Sequence, residues 1–201
     1  GLVGSEMCIR DRHVELVGGR TSDIANLAFA DCRVPAGNLI GKVGRGLHGA
    51  FHGIDTARVF ITAGALGMAQ SCLNSSIKYA RERLQFGKPI ASFQLIQAKL
   101  ADMWTLIEAA RLLSYKACIL ADDAEKGGKG TELHKVTAAA VLFVGEMADK
   151  VCTEAIQIHG GYGYCMEYPV QRFWRDAKVA TIGAGTSEMR RLILARELLA
   201  G

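Results

Sequence analysis

Three short stretches of the sequence carry residue types that suit an anionic ligand. Arg83 offers a planar fork of donors that can hold two phosphate oxygens at once. Gly160 and Gly161 allow a phosphate to approach the backbone closely. Thr186 precedes an apolar-periodic run, and the first N–H groups of a helix there would attract an anion. Taken singly, these features also fit a solvated surface charge, a helix stop and a helix start.

Composition and charge exclude several other classes of function. The net charge is +4 and the Lys and Arg residues are scattered, which argues against nucleic-acid binding. No apolar stretch approaches the roughly 20 residues that a membrane span requires. The six cysteines form no CxxC pair, so we predict neither a disulfide framework nor a metal site. Cys72, Cys118 and Cys152 fall at apolar helical positions, which indicates buried reduced thiols and a reducing compartment, such as the bacterial cytoplasm or the mitochondrial matrix.

Apolar residues recur at helical spacing over most of the chain beyond Gly46. The spacing predicts one long helix after Gly46, a second after Ser92 as N-cap, and a third after Thr131 as cap that stops at Gly160. Short helices are predicted near Pro169–Asp176 and Ser187–Leu199. Long helices with short connections predict an all-α fold, namely an up-down-up-down four-helix bundle with short C-terminal helices. We assign this bundle to residues 46–201.

The first 45 residues have a different pattern. Residues 1–12 show no periodicity and resemble a translated cloning leader, so we expect them to be non-native. The runs His13–Gly19 and Ala25–Pro35 are rich in Val, Leu and Phe and flank turn residues, which predicts two strands. Two strands rarely stand alone. We therefore expect residues 13–45 to be the end of a truncated β-domain and its linker.

Four longer segments resemble the acyl-CoA dehydrogenase family. They are Asp55–Gln70, Arg81–Met103 (RERLQFGKPIASFQLIQAKLADM), Ala155–Lys178 (AIQIHGGYGYCMEYPVQRFWRDAK) and Ile182–Leu199 (IGAGTSEMRRLILARELL). With DCRVP upstream, the resemblance covers about residues 13–201. It implies an FAD cofactor, an acyl-CoA substrate and an electron-transfer flavoprotein as electron acceptor. It also implies a homodimer or homotetramer, because in relatives the bundle reaches the flavin of the neighbouring subunit.

The resemblance assigns roles to individual residues. Contacts with FAD are implied for Arg83, Phe86, Gln94, Gln157, Gly160, Gly161, Thr186 and Glu188. Contacts with the acyl-CoA are implied for Asp55, Arg58 and Gly185. Asp55 and Arg58 could equally form an ion pair between positions i and i+3 on an exposed helix face.

The usual catalytic base of the family is missing. That base is the Glu of a Glu-Gly-Thr motif, and the motif reads Ala184-Gly185-Thr186 here. Some relatives carry the base on the first bundle helix instead, where this sequence has Ala57. Glu188 and Asp55 are the substitutes within this chain, and a carboxylate from another domain or subunit is equally compatible.

Three functions are compatible with this pattern. The first is an FAD-dependent acyl-CoA dehydrogenase that forms an α,β-enoyl-CoA with an atypical base. The second keeps the fold and flavin but has different chemistry, as a monooxygenase-like or reductase-like protein or a base-less subunit of a heteromeric dehydrogenase. The third is a non-enzymatic protein whose bundle serves as an assembly or FAD-binding surface. A purely structural role would not require the set Arg83, Gln94, Gln157 and Thr186.

Overall fold

The structure is a computed structural model that describes residues 8–10, 14–22, 24–125 and 131–200. The side chains at 8–10, 48, 51, 52, 55, 56, 124, 125 and 131 lie outside this description. The described helices are α1 (Gly46–Glu82), α2 (Gln94–Glu125), α3 (Thr131–His159), α4 (Val170–Ala177) and α5 (Ser187–Leu199). The strands are β1 (Cys8–Arg10), β2 (Leu27–Phe29), β3 (Leu84–Gln85) and β4 (Lys88–Pro89).

The core lies between the three long helices. Small and branched side chains at helical spacing allow the helices to approach closely, and they are fully buried. Typical members are Ala69, Cys72, Ile107, Val144, Val151 and Ala155. Burying one Leu, Ile or Val side chain stabilises the fold by about 1.5–3 kcal/mol. The long helices packed around this shared core confirm the predicted all-α bundle.

Side-chain contacts fix the directions of the long helices. Cys72 Sγ lies 3.5 Å from Cys152 Sγ, and the rings of Tyr79 and His159 stack at 4.3 Å, so α1 and α3 run the same way. Lys99 pairs with Glu154 and Lys116 pairs with Glu132, so α2 runs against α3. Helix α5 packs along α3, where Arg191 donates to Glu146.

The cysteine interpretation agrees with the structure in the core. Cys72 and Cys152 are free, buried thiols, and Cys118 is half-buried. The hydrogen bond with Cys72, together with burial, raises the pKa of Cys152, which keeps that thiol protonated and unreactive. Among the described residues, no cluster of His, Cys, Asp or Glu could hold a metal ion. None of the described helices is long and apolar enough to cross a membrane.

The N-terminal strands differ in part from the prediction. β2 lies within the second predicted run and pairs antiparallel with β1, with Cys8 opposite Phe29. The first predicted run, at 13–19, is not a strand in its described part, residues 14–19. It is held on α4 instead, where the Gly19 N–H donates to Asp176 Oδ1 over 2.7 Å. β1 falls in the segment that we assigned to a leader, and that assignment stays a prediction.

One helix cap was also predicted wrongly. Ser92 Oγ donates to the Pro89 carbonyl over 2.7 Å and does not cap α2, which begins two residues later, at Gln94. A short 3-10 turn from Ile90 to Ser92 absorbs this polar side chain before the helix starts. Thr131, predicted as the cap of the third helix, is the first residue of α3, and its side chain lies outside the described part.

Candidate functional site

A large apolar groove lies where α1 ends, α2 begins and α3 passes into a 3-10 turn. It has a volume of about 920 Å³. Five residues predicted to contact FAD line it together, namely Arg83, Phe86, Gln94, Gly160 and Gly161. Arg83 is a permanent cation, and none of the residues that line this groove is a carboxylate. The groove therefore favours a ligand that combines an apolar body with negative charge.

The position of Arg83 follows from the way α1 ends. Its N–H donates to the Tyr79 carbonyl over 2.8 Å, and its carbonyl accepts from Ile90 N–H over 2.9 Å. These two bonds fix the backbone of Arg83 between the helix and the β3–β4 hairpin. The guanidinium carbon lies 5.3 Å from the centre of the Tyr162 ring, within the range of a cation–π contact.

Phe86 is held in a conformation that aromatic residues rarely adopt. Its φ is +53° and that of Gly87 is +77°, so both central residues of the hairpin turn are left-handed. For a residue other than glycine this conformation costs about 1–2 kcal/mol. Phe86 is 91 % exposed, and the edge of its ring approaches that of Phe93. A strained and exposed ring beside a groove is typical of a ligand-binding position.

The glycines of the 3-10 turn have different reasons to be glycine. A Cβ built on Gly163 would lie 2.6 Å from the Ile156 carbonyl oxygen, so packing within the chain requires glycine there. A Cβ on Gly160 or Gly161 would meet nothing within 4 Å in the described part of the chain. Gly160 still needs its positive φ of +60°, but Gly161 has no such reason. The open side of Gly161 is a cradle that a Cβ would fill, and it fits a ligand that approaches the backbone from outside.

The start of α2 adds donors to the groove. Gln94 and Leu95 are its first two residues, and both line the groove. The Phe93 carbonyl already accepts from the N–H groups of Ile96 and Gln97. The first N–H groups of a helix have no partner within the helix and carry a partial positive charge. They therefore reinforce the charge of Arg83.

Sequence reasoning missed an aromatic cluster under the groove. It consists of Tyr79, His159, Tyr162 and Tyr168, whose ring centres lie 4.3–6.1 Å apart in successive contacts. Burial raises the pKa of Tyr79 and lowers the pKa of His159, so His159 stays neutral with Nδ1 2.8 Å from the Ala155 carbonyl. The sequence carries no signal for this cluster, because its rings come from α1, from the end of α3 and from the segment that follows α3.

Thr186 and Glu188 lie in a second, more polar cleft of about 410 Å³ beside α3. Thr186 caps α5, because its Oγ1 accepts from Met189 N–H over 3.4 Å. The pKa of the Glu188 carboxyl is lowered, because the carboxylate accepts hydrogen bonds from the backbone N–H of Glu188 and from the Thr186 side chain. Two residues of α3 give the distance between the cleft and the groove: Asp149 lines the cleft and His159 lines the groove. They are ten residues apart, which corresponds to about 15 Å along a helix. The structure therefore does not bring Thr186 and Glu188 together with the groove residues.

The remaining predicted residues are dispersed. Gln157 is exposed on the last turn of α3 and does not line the groove. Arg58 is buried in α1. Asp55 also lies in α1, and its side chain falls outside the described part.

The turn that carries the empty base position is tightly constrained. Ala184 has a φ of +53° and Gly185 a φ of +101°. A Cβ on Gly185 would lie 2.8 Å from Arg190 Nη2, and the Arg190 side chain is completely buried. Glycine is therefore required at position 185 by the chain itself.

Comparisons with known proteins agree with this architecture. Residues 44–199 match the family described as acyl-CoA dehydrogenase, C-terminal domain. The chain is 48% identical over 183 residues to the probable acyl-CoA dehydrogenase YngJ of Bacillus subtilis, covering 91% of the chain and 47% of that protein. It is 46% identical over 178 residues to the acryloyl-CoA reductase (NADH) of Anaerotignum propionicum, covering 89% of the chain and 44% of the reductase.

A solved structure shows the same fold. Butyryl-CoA dehydrogenase from Megasphaera elsdenii superimposes with a TM-score of 0.90 at 40% identity, covering 98% of this chain and 50% of that one. The chain thus spans about half the length of the proteins it matches.

Proposed function

The chain belongs to the acyl-CoA dehydrogenase family, and from that premise we propose that it forms the C-terminal part of an FAD-dependent enzyme that oxidises an acyl-CoA thioester to its α,β-enoyl form. In this proposal residues 46–201 are the bundle, and residues 13–45 are the end of a middle β-domain. The observation that supports it most strongly is the groove, which gathers Arg83, Phe86, Gln94, Gly160 and Gly161 around an open, carboxylate-free space.

The groove fits the diphosphate part of FAD. Arg83 would bind diphosphate oxygens through its planar donors, and the first N–H groups of α2 would add to the positive potential. The open side of Gly161 would admit the phosphate close to the backbone. Phe86 and Phe93 would cover apolar parts of the cofactor.

The second cleft has a separate role in the proposal. Thr186 and Glu188 would contact a flavin there. Their cleft and the groove are about 15 Å apart along α3. In the relatives that the sequence resembles, a bundle reaches the flavin of the neighbouring subunit, and two separated sets on one bundle are compatible with that arrangement. We therefore propose a homodimer or homotetramer, with an electron-transfer flavoprotein as the electron acceptor.

The proposed reaction needs a proton acceptor beside the carbon α to the thioester. When bound, the flavin supplies a ring that accepts a hydride from the β carbon. A positioned base contributes about 10²–10⁴ in rate, and the methyl group of Ala184 cannot act as one. Glu188 and Asp55 are the substitutes within this chain, and a carboxylate from another domain or subunit is the alternative.

A second candidate is a protein of the same fold with different flavin chemistry. Ala57 and Ala184 favour it, because both familiar base positions are occupied by inert side chains. A reductase-like activity is supported by the similarity to acryloyl-CoA reductase. A monooxygenase-like activity and a base-less subunit of a heteromeric dehydrogenase are the other forms of this candidate.

An anaerobic titration of the complete flavoprotein against a panel of acyl-CoAs separates the candidates. Bleaching of the oxidised flavin band is the expected result, and loss of bleaching in Asp55→Asn but not in Glu188→Gln would identify the base. Flavin that no acyl-CoA bleaches, but that becomes reducible in Ala184→Glu, would contradict the dehydrogenase proposal and support the second candidate.

A further inference from the structure

We propose that Tyr162 is a positioning residue that orients the Arg83 guanidinium for a diphosphate before the ligand binds. The inference rests on the proposed role of the groove as the flavin site. It concerns how that site is preorganised and what holds its main cation in place.

The contact between Arg83 and Tyr162 is the end of a continuous row of rings. The guanidinium carbon lies 5.3 Å from the Tyr162 ring centre, and the Tyr162 ring lies 5.4 Å from that of Tyr168. Tyr168 meets His159 at 5.9 Å and Tyr79 at 6.1 Å, both at steep angles. Tyr79 and His159 are stacked in turn at 4.3 Å. The inner rings therefore brace Tyr162 from α1 and α3.

Two other arginines of the described bundle, Arg111 and Arg191, are held by acceptors. Arg111 donates to Glu108 over 3.1 Å and to Gln70 over 2.7 Å, and Arg191 donates to Glu146. Arg83, in contrast, pairs with no carboxylate among the described residues. Its guanidinium lies over the face of the Tyr162 ring instead.

This difference matters for an anion site. A carboxylate would occupy the donors in the plane of the guanidinium and would compete with a phosphate for them. A ring packed against the guanidinium attracts the positive charge through its π face and leaves the in-plane donors available. Tyr162 thus restricts a flexible side chain without neutralising it. Arginine carries substantial rotamer entropy, so restricting it before binding raises affinity.

The test is a titration of the complete protein, in its apo form, with FAD. Quenching of the flavin fluorescence measures the binding at equilibrium. We expect Tyr162→Leu to weaken binding about three- to tenfold, because it removes both the cation–π attraction and the restriction of Arg83. Tyr162→Phe keeps the ring face and should bind within about twofold of the parent protein. Tyr164→Leu is the matched control, because Tyr164 lies in the same turn, is 79 % exposed and does not line the groove.

The same measurements in an Arg83→Gln background show whether the effect of Tyr162 on FAD binding depends on Arg83. If Tyr162 acts through Arg83, then Tyr162→Leu has no further effect once Arg83 is gone. Equal weakening in both backgrounds would overturn the positioning role, because Tyr162 would then act directly or through the fold. Unchanged binding in Tyr162→Leu would overturn it as well. If Arg83→Gln alone leaves FAD binding unchanged, the proposed flavin role of the groove fails, and the positioning role fails with it.

Discussion

Replacing Gly161 by alanine tests whether a ligand from outside the chain fills the open side of the groove. The added methyl group would meet none of the described residues within 4 Å. Removing a glycine from a compatible backbone position changes stability by at most about 1 kcal/mol and usually increases it. A methyl group forced against a bound diphosphate costs about 1–3 kcal/mol, which corresponds to about 5- to 150-fold weaker binding.

Gly163→Ala is the matched control, because it lies two residues away and has the opposite environment. Its Cβ would lie 2.6 Å from the Ile156 carbonyl oxygen and 2.9 Å from His159 Cβ. This overlap should lower the free energy of unfolding by about 1–3 kcal/mol. Thermal unfolding of the apoprotein should therefore detect Gly163→Ala and not Gly161→Ala. Titration with FAD should show weaker binding in Gly161→Ala. Normal FAD affinity in that variant would refute the cradle at Gly161.

Three further predictions concern stability and cofactor retention. The pKa of His159 is lowered from its ordinary value of 6.5, so the folded state takes up this proton less readily than the unfolded state. The free energy of unfolding should be fully retained above about pH 6.5 and fall by up to about 1.4 kcal/mol per unit below it, and His159→Phe should flatten this slope in chemical denaturation. Gly145→Ala should lower the free energy of unfolding by about 1–3 kcal/mol, because its Cβ would lie 2.6 Å from the Ala180 carbonyl oxygen; an unchanged melting temperature would contradict this packing. Purified residues 13–201 should retain little FAD after desalting, because the proposed site is shared with other domains, and stoichiometric flavin absorbance would contradict that division.

The helical part of the fold was predictable because its signals are local. Helix α3 ends at His159, where Gly160 adopts a positive φ, and α5 begins at Ser187 behind a threonine cap. The run at 13–19 was mispredicted because tertiary contacts decide its structure. Arg175 Nη1 donates to the Val17 carbonyl over 2.7 Å, and a Cβ on Gly18 would lie 2.4 Å from the Arg175 carbonyl oxygen. Neither contact leaves a periodic signal in the sequence.

The groove was predictable only in part. Family resemblance supplied Arg83 and Gly161, but it gave no indication that Thr186 and Glu188 would lie in a different cleft. The ring contacts of Tyr162 also escaped the sequence, because a cation–π geometry depends on how α1 and the turn after α3 meet. Residue types can be read from a sequence, whereas their meeting across distant elements requires the fold.

The most direct test of the central claim is a structure of the complete protein with FAD bound. We predict that diphosphate oxygens lie within hydrogen-bond distance, about 3.2 Å or less, of the Arg83 guanidinium and against the open side of Gly161. A diphosphate bound elsewhere, with the groove filled by another part of the protein, would contradict the assignment of this groove as a flavin site.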